Sequence, residues 1–303
     1  MPEPSLYNSL GTPFIELLSV DSTNNYALTQ IHAGLTQHGT AFFAHEQLSG
    51  KGQRGKIWTT PKGSSIIISV VINPEPLQLM QQFQLSACIA LSVCEFFSFY
   101  TAEATTIKWP NDLYWYDRKA GGILIENIIG SPKQDTGIYH NRNWKLEAGN
   151  QRSKVNSQRS GDNPSSSFAH RYKNNGEPSS KWLWAVAGIG ININQTIFSN
   201  ELINPVSLAQ ITGSKYDPVK LAKELCFLMD KNFKKLITKG FEDIYASYLS
   251  HLYKKNESVK LKKDNRVFIA VIKSVSPKGE LIVQHAIEER FGFGEIEWVI
   301  KAD

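Results

Sequence analysis

The apolar positions of this chain change their spacing several times between its ends. Residues 14–20 (FIELLSV) and 40–46 (TAFFAHE) read as strands, and Asp21 and Ser22 stop the first. Ser22 or Thr23 can cap a helix reaching about Gly34, because a short hydroxyl side chain accepts from the free N–H groups of a first turn. That helix carries Tyr26, Ala27 and Ile31 on its apolar side. SSIIISVVI (64–72) is a β-branched run, the pattern of a strand buried on both faces. Residues 78–100 turn to helical spacing, with Leu79, Phe83, Leu85, Ile89, Val93 and Phe97 placed to pack on a sheet. Three short strands follow, TTIKWP, DLYWYD and GGILIEN, and WLWAVAGIGININ (182–194) is another apolar strand.

Between the last two, residues 131–180 are rich in Asn, Ser, Gln, Lys, Arg and Gly and have no period. Such a stretch cannot bury enough apolar surface to offset its ordering entropy, so it is predicted as a mostly disordered insertion. It joins two strands whose natural connection is short. After Pro218 a helix runs to about Leu236, and another spans 241–252. ESVKLKK, RVFIAVIKSVS, GELIVQH and FGFGEIEWVI then alternate, punctuated by KKDN and SPKG, as expected of a small β-barrel or sandwich. The predicted organisation is a larger domain over 1–253, carrying the insertion, and a small β domain over 254–303.

Composition narrows the picture only a little. The chain is 41% hydrophobic and 20% charged, an ordinary globular balance. No apolar run reaches the roughly 18 residues of a membrane span, and the first twenty residues lack a signal-peptide pattern. Cys88, Cys94 and Cys226 show no CxxC spacing, which argues against a metal or disulfide framework and for a reducing, cytoplasmic setting. A net charge of +5 permits an anionic ligand without demanding nucleic acid.

Four constellations carry candidate chemistry. Residues 50–58 read Gly-Lys-Gly-Gln-Arg-Gly-Lys-Ile-Trp after a strand. Their glycines allow close backbone approach to a ligand and their cations supply charge, so the loop reads as a phosphate or nucleotide cradle. It lacks the Walker spacing, and a solvated basic turn or an RNA-contacting loop is an equal reading of the loop alone. Lys108-Trp109-Pro110-Asn111-Asp112 leads through a turn to Lys119, which precedes Gly121 and Gly122 and can meet a carboxylate or phosphate. As an isolated residue Lys119 is also an ordinary turn lysine, and Trp109 and Trp115 are candidates for core packing. Gly188 and Gly190 inside an apolar strand suggest close approach of a ligand or of another backbone. Asn192 and Asn194 on that strand need partners, from a ligand or a neighbouring loop. Asp21-Ser22-Thr23-Asn24-Asn25 is a helix N-cap that can also face an anion.

In this order the motifs resemble those of biotin–protein ligases. The matching residues are Ser22-Thr23-Asn24, Gln47, the 50–58 loop, Lys108 to Asp112, Arg118 to Leu124, and Gly188 to Asn192. The likeness spans residues 14–130 and 182–303. It implies an α/β (α+β) fold of the class II synthetase and biotin ligase kind, a central mixed sheet flanked by helices, with an SH3-like C-terminal barrel. It also implies two reactions: biotin and MgATP form biotinyl-5′-AMP, and a lysine of a carboxylase's biotin carrier domain then takes the biotinyl group. By position, Ser22, Thr23, Asn24 and Gln47 face the ureido ring, with Gly50, Gly52, Gln53, Gly122, Gly188 and Ile191 completing the biotin pocket. Lys51, Arg54 and Lys119 are the catalytic cations. Gly52, Gly55, Trp58, Asn111 and Asn192 lie toward the adenylate, and Mg2+ comes with ATP, near Asn111 and Asp112. Lys51 and Gln53 stand where the family has arginines, which implies weaker retention of the adenylate. The Ser-Thr-Asn motif begins at residue 22, so no DNA-binding repressor domain, DNA partner or membrane partner is expected; a homodimer is compatible with the pattern. The rival readings are a lipoate–protein ligase or lipoyl transferase of the same fold, and an RNA-binding protein using the basic loop. The Lys-Trp-Pro-Asn-Asp segment, the glycine-rich loop and the small barrel favour biotin over lipoate. Low net charge and the want of an aromatic stacking module weigh against RNA.

Overall fold

The β-branched run becomes the centre of a seven-stranded sheet. In the computed structural model, which describes residues 8–52, 55, 57–102, 105–130 and 181–299, it forms β3 (Ser65–Ile72), buried at every position. The first part of the sheet comprises β1 (Phe14–Leu17), β2 (Ala41–Ala44) and β3, with helix α1 (Thr23–His32) between β1 and β2. Helix α2 (Gln82–Thr101) leads to β4 (Thr105–Lys108), β5 (Asp112–Trp115), β6 (Arg118–Gly130) and β7 (Lys181–Asn192). The strand order is β1-β2-β3-β7-β6-β5-β4, with β1 and β2 parallel and the other neighbours antiparallel. The fold is thus the expected mixed α/β type. The 131–180 insertion lies outside the described residues, but its flanks are register partners: Gly130 pairs with Lys181. The ends of the segment are already held together, so deleting about residues 134–178 should leave intact the biotin adenylation that the sequence resemblance implies, because loop-closure cost varies only slowly with length. Loss of activity in a soluble deletion variant would contradict this.

The two faces of the sheet are covered unequally. Ile66, Ile68 and Val70 of β3, Ile123 of β6, and Ala187, Ile189 and Ile191 of β7 point to one side. There they meet α2 and helix α4 (Pro218–Lys239) in a core that includes Leu85, Ile89, Val93, Phe97, Leu225 and Met229. By length and composition α2 and its preceding turn could cross a membrane, yet 67% of that window is buried inside this protein. It is the apolar layer between sheet and α4. On the other side, among the described residues, α1 is the helix that covers the sheet, packing Ala27 and Ile31 on Phe42, Val71 and Val186. A ten-residue helix is too short to cover that face: Asn24 of α1 reaches only as far as Gly188, the Trp58 indole lies over Gly190, and Gly122 lies beyond α1.

Asp217 caps α4 by accepting from the N–H groups of Val219 and Lys220, with Pro218 at the first helical position. The pattern of apolar residues missed α3 (Leu208–Thr212), which is too short to show a helical period. It is held by a capping box in which Ser207 accepts from Gln210 N and Gln210 returns to Ser207 N. Ser207→Ala should cost about 1 kcal/mol of stability, read as a shift in the denaturant midpoint without a change in slope.

Helix α5 (Glu242–Ser250) leads into an antiparallel sheet of β8 (Ser258–Lys263), β9 (Arg266–Val275), β10 (Leu281–Gln284), β11 (Glu288–Phe291) and β12 (Glu297–Trp298), ordered β11-β10-β9-β8-β12. FGFGEIEWVI (291–300) reads in the sequence as one alternating segment. Instead β11 lies upstream and ends at buried Phe291, and a turn with Gly294 at φ +91° intervenes before the short β12. A φ in that region suits glycine and breaks the ladder. This sheet docks through named contacts. Trp109 Nε1 donates to the Gly279 carbonyl at 3.0 Å, and Tyr245 OH donates to the Val275 carbonyl at 2.5 Å. The Lys108 ammonium sits 5.3 Å from the Trp298 ring centroid. Lys108 and Trp109 therefore serve the junction with the C-terminal sheet, while Asn111 and Asp112 turn toward the glycines.

Candidate active site

The uncovered face is a slot with a glycine floor. Register places Gly188, Gly190 and Asn192 of β7 on it, beside Gly122, Leu124 and Glu126 of β6 and Ser65, Ile67 and Ser69 of β3. A strand rises about 3.3 Å per residue, so Gly188 and Gly190 are roughly 7 Å apart along the slot. Ile191 points the other way and is buried in the α2 core, so it reaches the slot only through its backbone.

The N-terminal turn of α1 forms a polar end. Thr23 N–H donates to Gln47 Oε1 at 2.8 Å, and the Thr23 hydroxyl lies 3.1 Å from the same oxygen. Asn24 Nδ2 donates to Glu126 Oε2 at 2.7 Å and to the Leu124 carbonyl at 3.3 Å. Ser69 Oγ lies 2.7 Å from Thr23 Oγ1 and 2.6 Å from Asn24 Oδ1. Thr23, Asn24 and Ser69 are all buried. A Cβ on Gly188 would stand 2.2 Å from Asn24 Oδ1, so only glycine fits below this cluster. Ser22 is buried but its hydroxyl makes no capping bond to α1, so its part in the cap falls to its backbone carbonyl, which accepts from Tyr26 N–H.

Trp58 closes the middle. Its N–H donates to the Gly50 carbonyl at 2.9 Å, and its indole lies over Gly190, where a Cβ would come within 2.6 Å of the ring. Gly50 is equally constrained, since a Cβ there would meet the Trp58 carbonyl at 2.2 Å and Gln47 Nε2 at 2.7 Å. The Trp58 indole N–H and the Ser65 hydroxyl are buried without a hydrogen-bond partner, two groups that a ligand in the slot could satisfy.

Lys119 stands at the basic end. Leu113 pairs with Gly121 but Tyr114 with Lys119, which leaves Ala120 as an extra residue in β6. Such a bulge re-aims the side chains beside it. Here it sends Ala120 into the core and puts Lys119 on the face that carries Asp112 and Gly122. Lys119 Nζ meets Asp112 Oδ1 at 2.6 Å, and its side chain remains 34% exposed, within reach of a ligand. A second pair of contacts holds its backbone: Lys119 N donates to the Asn204 carbonyl and Val206 N to the Lys119 carbonyl. Asn192 Nδ2 donates to the Val206 carbonyl at 3.1 Å, so Asn192 supports that segment. Asn194, half-buried, makes a two-way pair with the Tyr216 backbone, the neighbouring-loop outcome for an asparagine that needs partners. Asn111 Nδ2 donates to the Ile123 carbonyl, fixing the turn before Asp112.

Of the cationic loop, Gln53, Arg54 and Lys56 lie outside the described residues. Gly52 is partly exposed and Gly55 exposed at φ +74°. Lys51 Nζ donates to Asn25 Oδ1 at 2.5 Å, and Asn25 donates to Asp21 at 2.8 Å. The hydrogen bond from Asn25 holds the Asp21 carboxyl below its usual value, with Lys51 adding to the effect. Lys51 is thus tied to the turn that carries Thr23 and Asn24. The cysteines play no part in this chemistry: burial raises all three thiols, Cys94 and Cys226 to about 12, so none is a ready thiolate. Sequence reasoning missed Ser69 and Glu126. Their signal was present as polar residues inside two largely apolar strands, visible as a site only once register set them beside Asn24.

The fold is similar to that of biotin protein ligases of known structure. The Aquifex aeolicus biotin protein ligase in complex with biotin and ATP superposes with a TM-score of 0.66 at 23% identity, covering 95% of this chain and 98% of that one. Residues 17–143 match the model of the biotin/lipoate A/B protein ligase family. The bifunctional ligase/repressor BirA of Salmonella typhimurium is 34% identical over 134 residues, which is 42% of this chain and 41% of that protein. The biotin–[acetyl-CoA-carboxylase] ligase of Paracoccus denitrificans is 35% identical over 119 residues, 38% of this chain and 48% of that protein. The matched stretch therefore spans less than half the length of either relative.

Proposed function

We propose that this chain is a biotin–protein ligase that uses ATP to join biotin to a lysine of a biotin carrier domain. The observation that carries the reading is the slot itself, polar at the α1 end, floored by glycines under Asn24 and Trp58, and cationic at Lys119. Biotin has the complementary order: a ureido ring, an apolar bicyclic body and tail, and a carboxylate. Thr23 and Gln47 offer the ureido group hydrogen-bond partners, Gly188, Gly190 and Gly122 leave room for the rings and tail, and Lys119 meets the carboxylate.

In the first step a biotin carboxylate oxygen attacks the α-phosphorus of ATP and pyrophosphate leaves. Lys119 pairs with the carboxylate and an α-phosphate oxygen, holding two anions together that would otherwise repel. Asp112 keeps the ammonium pointed into the slot. Lys51, held by Asn25, and Arg54 of the same basic loop supply positive charge for the triphosphate, and Trp58, over Gly190, shields the middle of the slot from water. In the second step the neutral amine of the carrier lysine attacks the acyl carbon, AMP departs, and the amine loses its proton as the amide forms. Among the described residues no group of three or more His, Cys, Asp or Glu side chains is placed to hold a metal. Asn111 and Asp112 suit Mg2+ that arrives on the triphosphate, since such an ion takes about one or two protein ligands and otherwise phosphate and water. Its chemistry there is neutralisation of triphosphate charge.

Isothermal titration with biotin and with lipoate tests the reading. Biotin is expected to bind and lipoate is not, because the lipoate dithiolane has no N–H or carbonyl for Thr23 and Gln47. Preference for lipoate would overturn it.

A further inference from the structure

We infer that Glu126 and Ser69, which the proposed reaction does not use, set the direction of the hydrogen bonds at the polar end of the slot and so determine that it reads a ligand N–H. This rests on the ligase reading above. A carboxylate only accepts, so the Asn24 amide must present its NH2 to Glu126, at 2.7 Å, and its carbonyl oxygen to Ser69, at 2.6 Å. The Leu124 carbonyl, also an acceptor, enforces the same orientation at 3.3 Å.

Ser69 has one hydroxyl proton, and Asn24 Oδ1 takes it. Ser69 Oγ can then meet Thr23 Oγ1, 2.7 Å away, only as an acceptor. The Thr23 proton therefore points to Ser69, its shortest side-chain partner, rather than to Gln47 Oε1 at 3.1 Å. Donation runs in one direction, from Thr23 to Ser69 to Asn24 to Glu126, within a cluster whose first three members are buried. Thr23 Oγ1 is left with lone pairs alone for the slot. Gln47 is oriented by the same logic: its oxygen accepts the Thr23 backbone N–H at 2.8 Å, which leaves its NH2 as a donor. The polar end thus offers an acceptor beside a donor, the complement of a cyclic urea's N–H and carbonyl. Glu126 and Ser69 touch no ligand in this account; they are positioning residues that act through Asn24 and Thr23.

The test pairs protein variants with a ligand variant. Biotin is compared by titration calorimetry with its cyclic carbamate analogues, in which a ring N–H is replaced by oxygen and a donor becomes an acceptor at nearly constant shape. The wild type should bind biotin and discriminate against the carbamate that faces Thr23. In Ser69→Ala the Thr23 proton loses its acceptor and is free to turn to the ring oxygen, and in Glu126→Ala only the longer Leu124 bond still orients Asn24, so the chain of donation is loosened. The biotin-to-carbamate affinity ratio should then fall roughly tenfold, the scale of one misdirected hydrogen bond. Glu126→Gln retains an acceptor for Asn24 and should stay close to the wild-type ratio, with thermal melting confirming that each variant folds. Equal weakening of both ligands, at an unchanged ratio, would show a packing role only and overturn the inference. Wild-type protein that binds no biotin would overturn the ligase reading and this inference with it.

Discussion

Lys119→Ala is expected to lower biotin-dependent ATP–pyrophosphate exchange by at least about a hundredfold, the usual effect of removing a charge that acts mainly on the transition state. The bulge at Ala120 makes this expectation specific, because it alone puts the Lys119 side chain on the slot face. Removal of the ammonium would also leave Asp112, now 2.6 Å from it, as an unbalanced negative charge where two anions must meet. Lys119→Arg should recover part of the activity, since charge is kept but the guanidinium is bulkier and differently directed. Folding stability should change little, because a pair as exposed as this one contributes at most modestly. Exchange that persists in Lys119→Ala, measured with labelled pyrophosphate, would remove Lys119 from the chemistry.

Gly188→Ala should be the most damaging small substitution in the slot. The added methyl would sit 2.2 Å from Asn24 Oδ1 and 2.8 Å from Asn24 Cγ. Asn24 cannot step aside without breaking its bonds to Glu126, Leu124 and Ser69. The expected result is a destabilisation of about 1–3 kcal/mol, with a larger proportional loss in biotin affinity of roughly a hundredfold. Gly213→Ala is the control, because it lies outside the slot and its Cβ would meet nothing within 4 Å, although its φ of +72° carries ordinary backbone strain. It should destabilise without altering biotin affinity. Calorimetric titration of both variants separates the two effects; a Gly188→Ala protein with normal affinity would mean that the slot does not depend on Asn24.

The sheet was legible in the sequence wherever apolar spacing was strong. The run at 64–72, the helix at 78–100 and the strand at 182–194 all form near their expected limits, because burial on both sides leaves few alternatives for such residues. Short elements were harder. The five-residue α3 depends on a capping box rather than on periodicity, and the β11–β12 segment is divided by the turn at Gly294. The slot was legible as a set of glycines and polar residues in a familiar order, but not as a geometry. Which face Ile191 takes depends on strand register, and the bulge that turns Lys119 is a one-residue irregularity with no signal in composition. Glu126 and Ser69 required the pairing of three strands before they could be seen beside Asn24.

The most direct test of the ligase reading is exchange of labelled pyrophosphate into ATP by the full chain, with biotin, with lipoate and with neither. The account predicts label in ATP only when biotin is present. Exchange supported by lipoate in place of biotin, or no exchange with either acid, would contradict it.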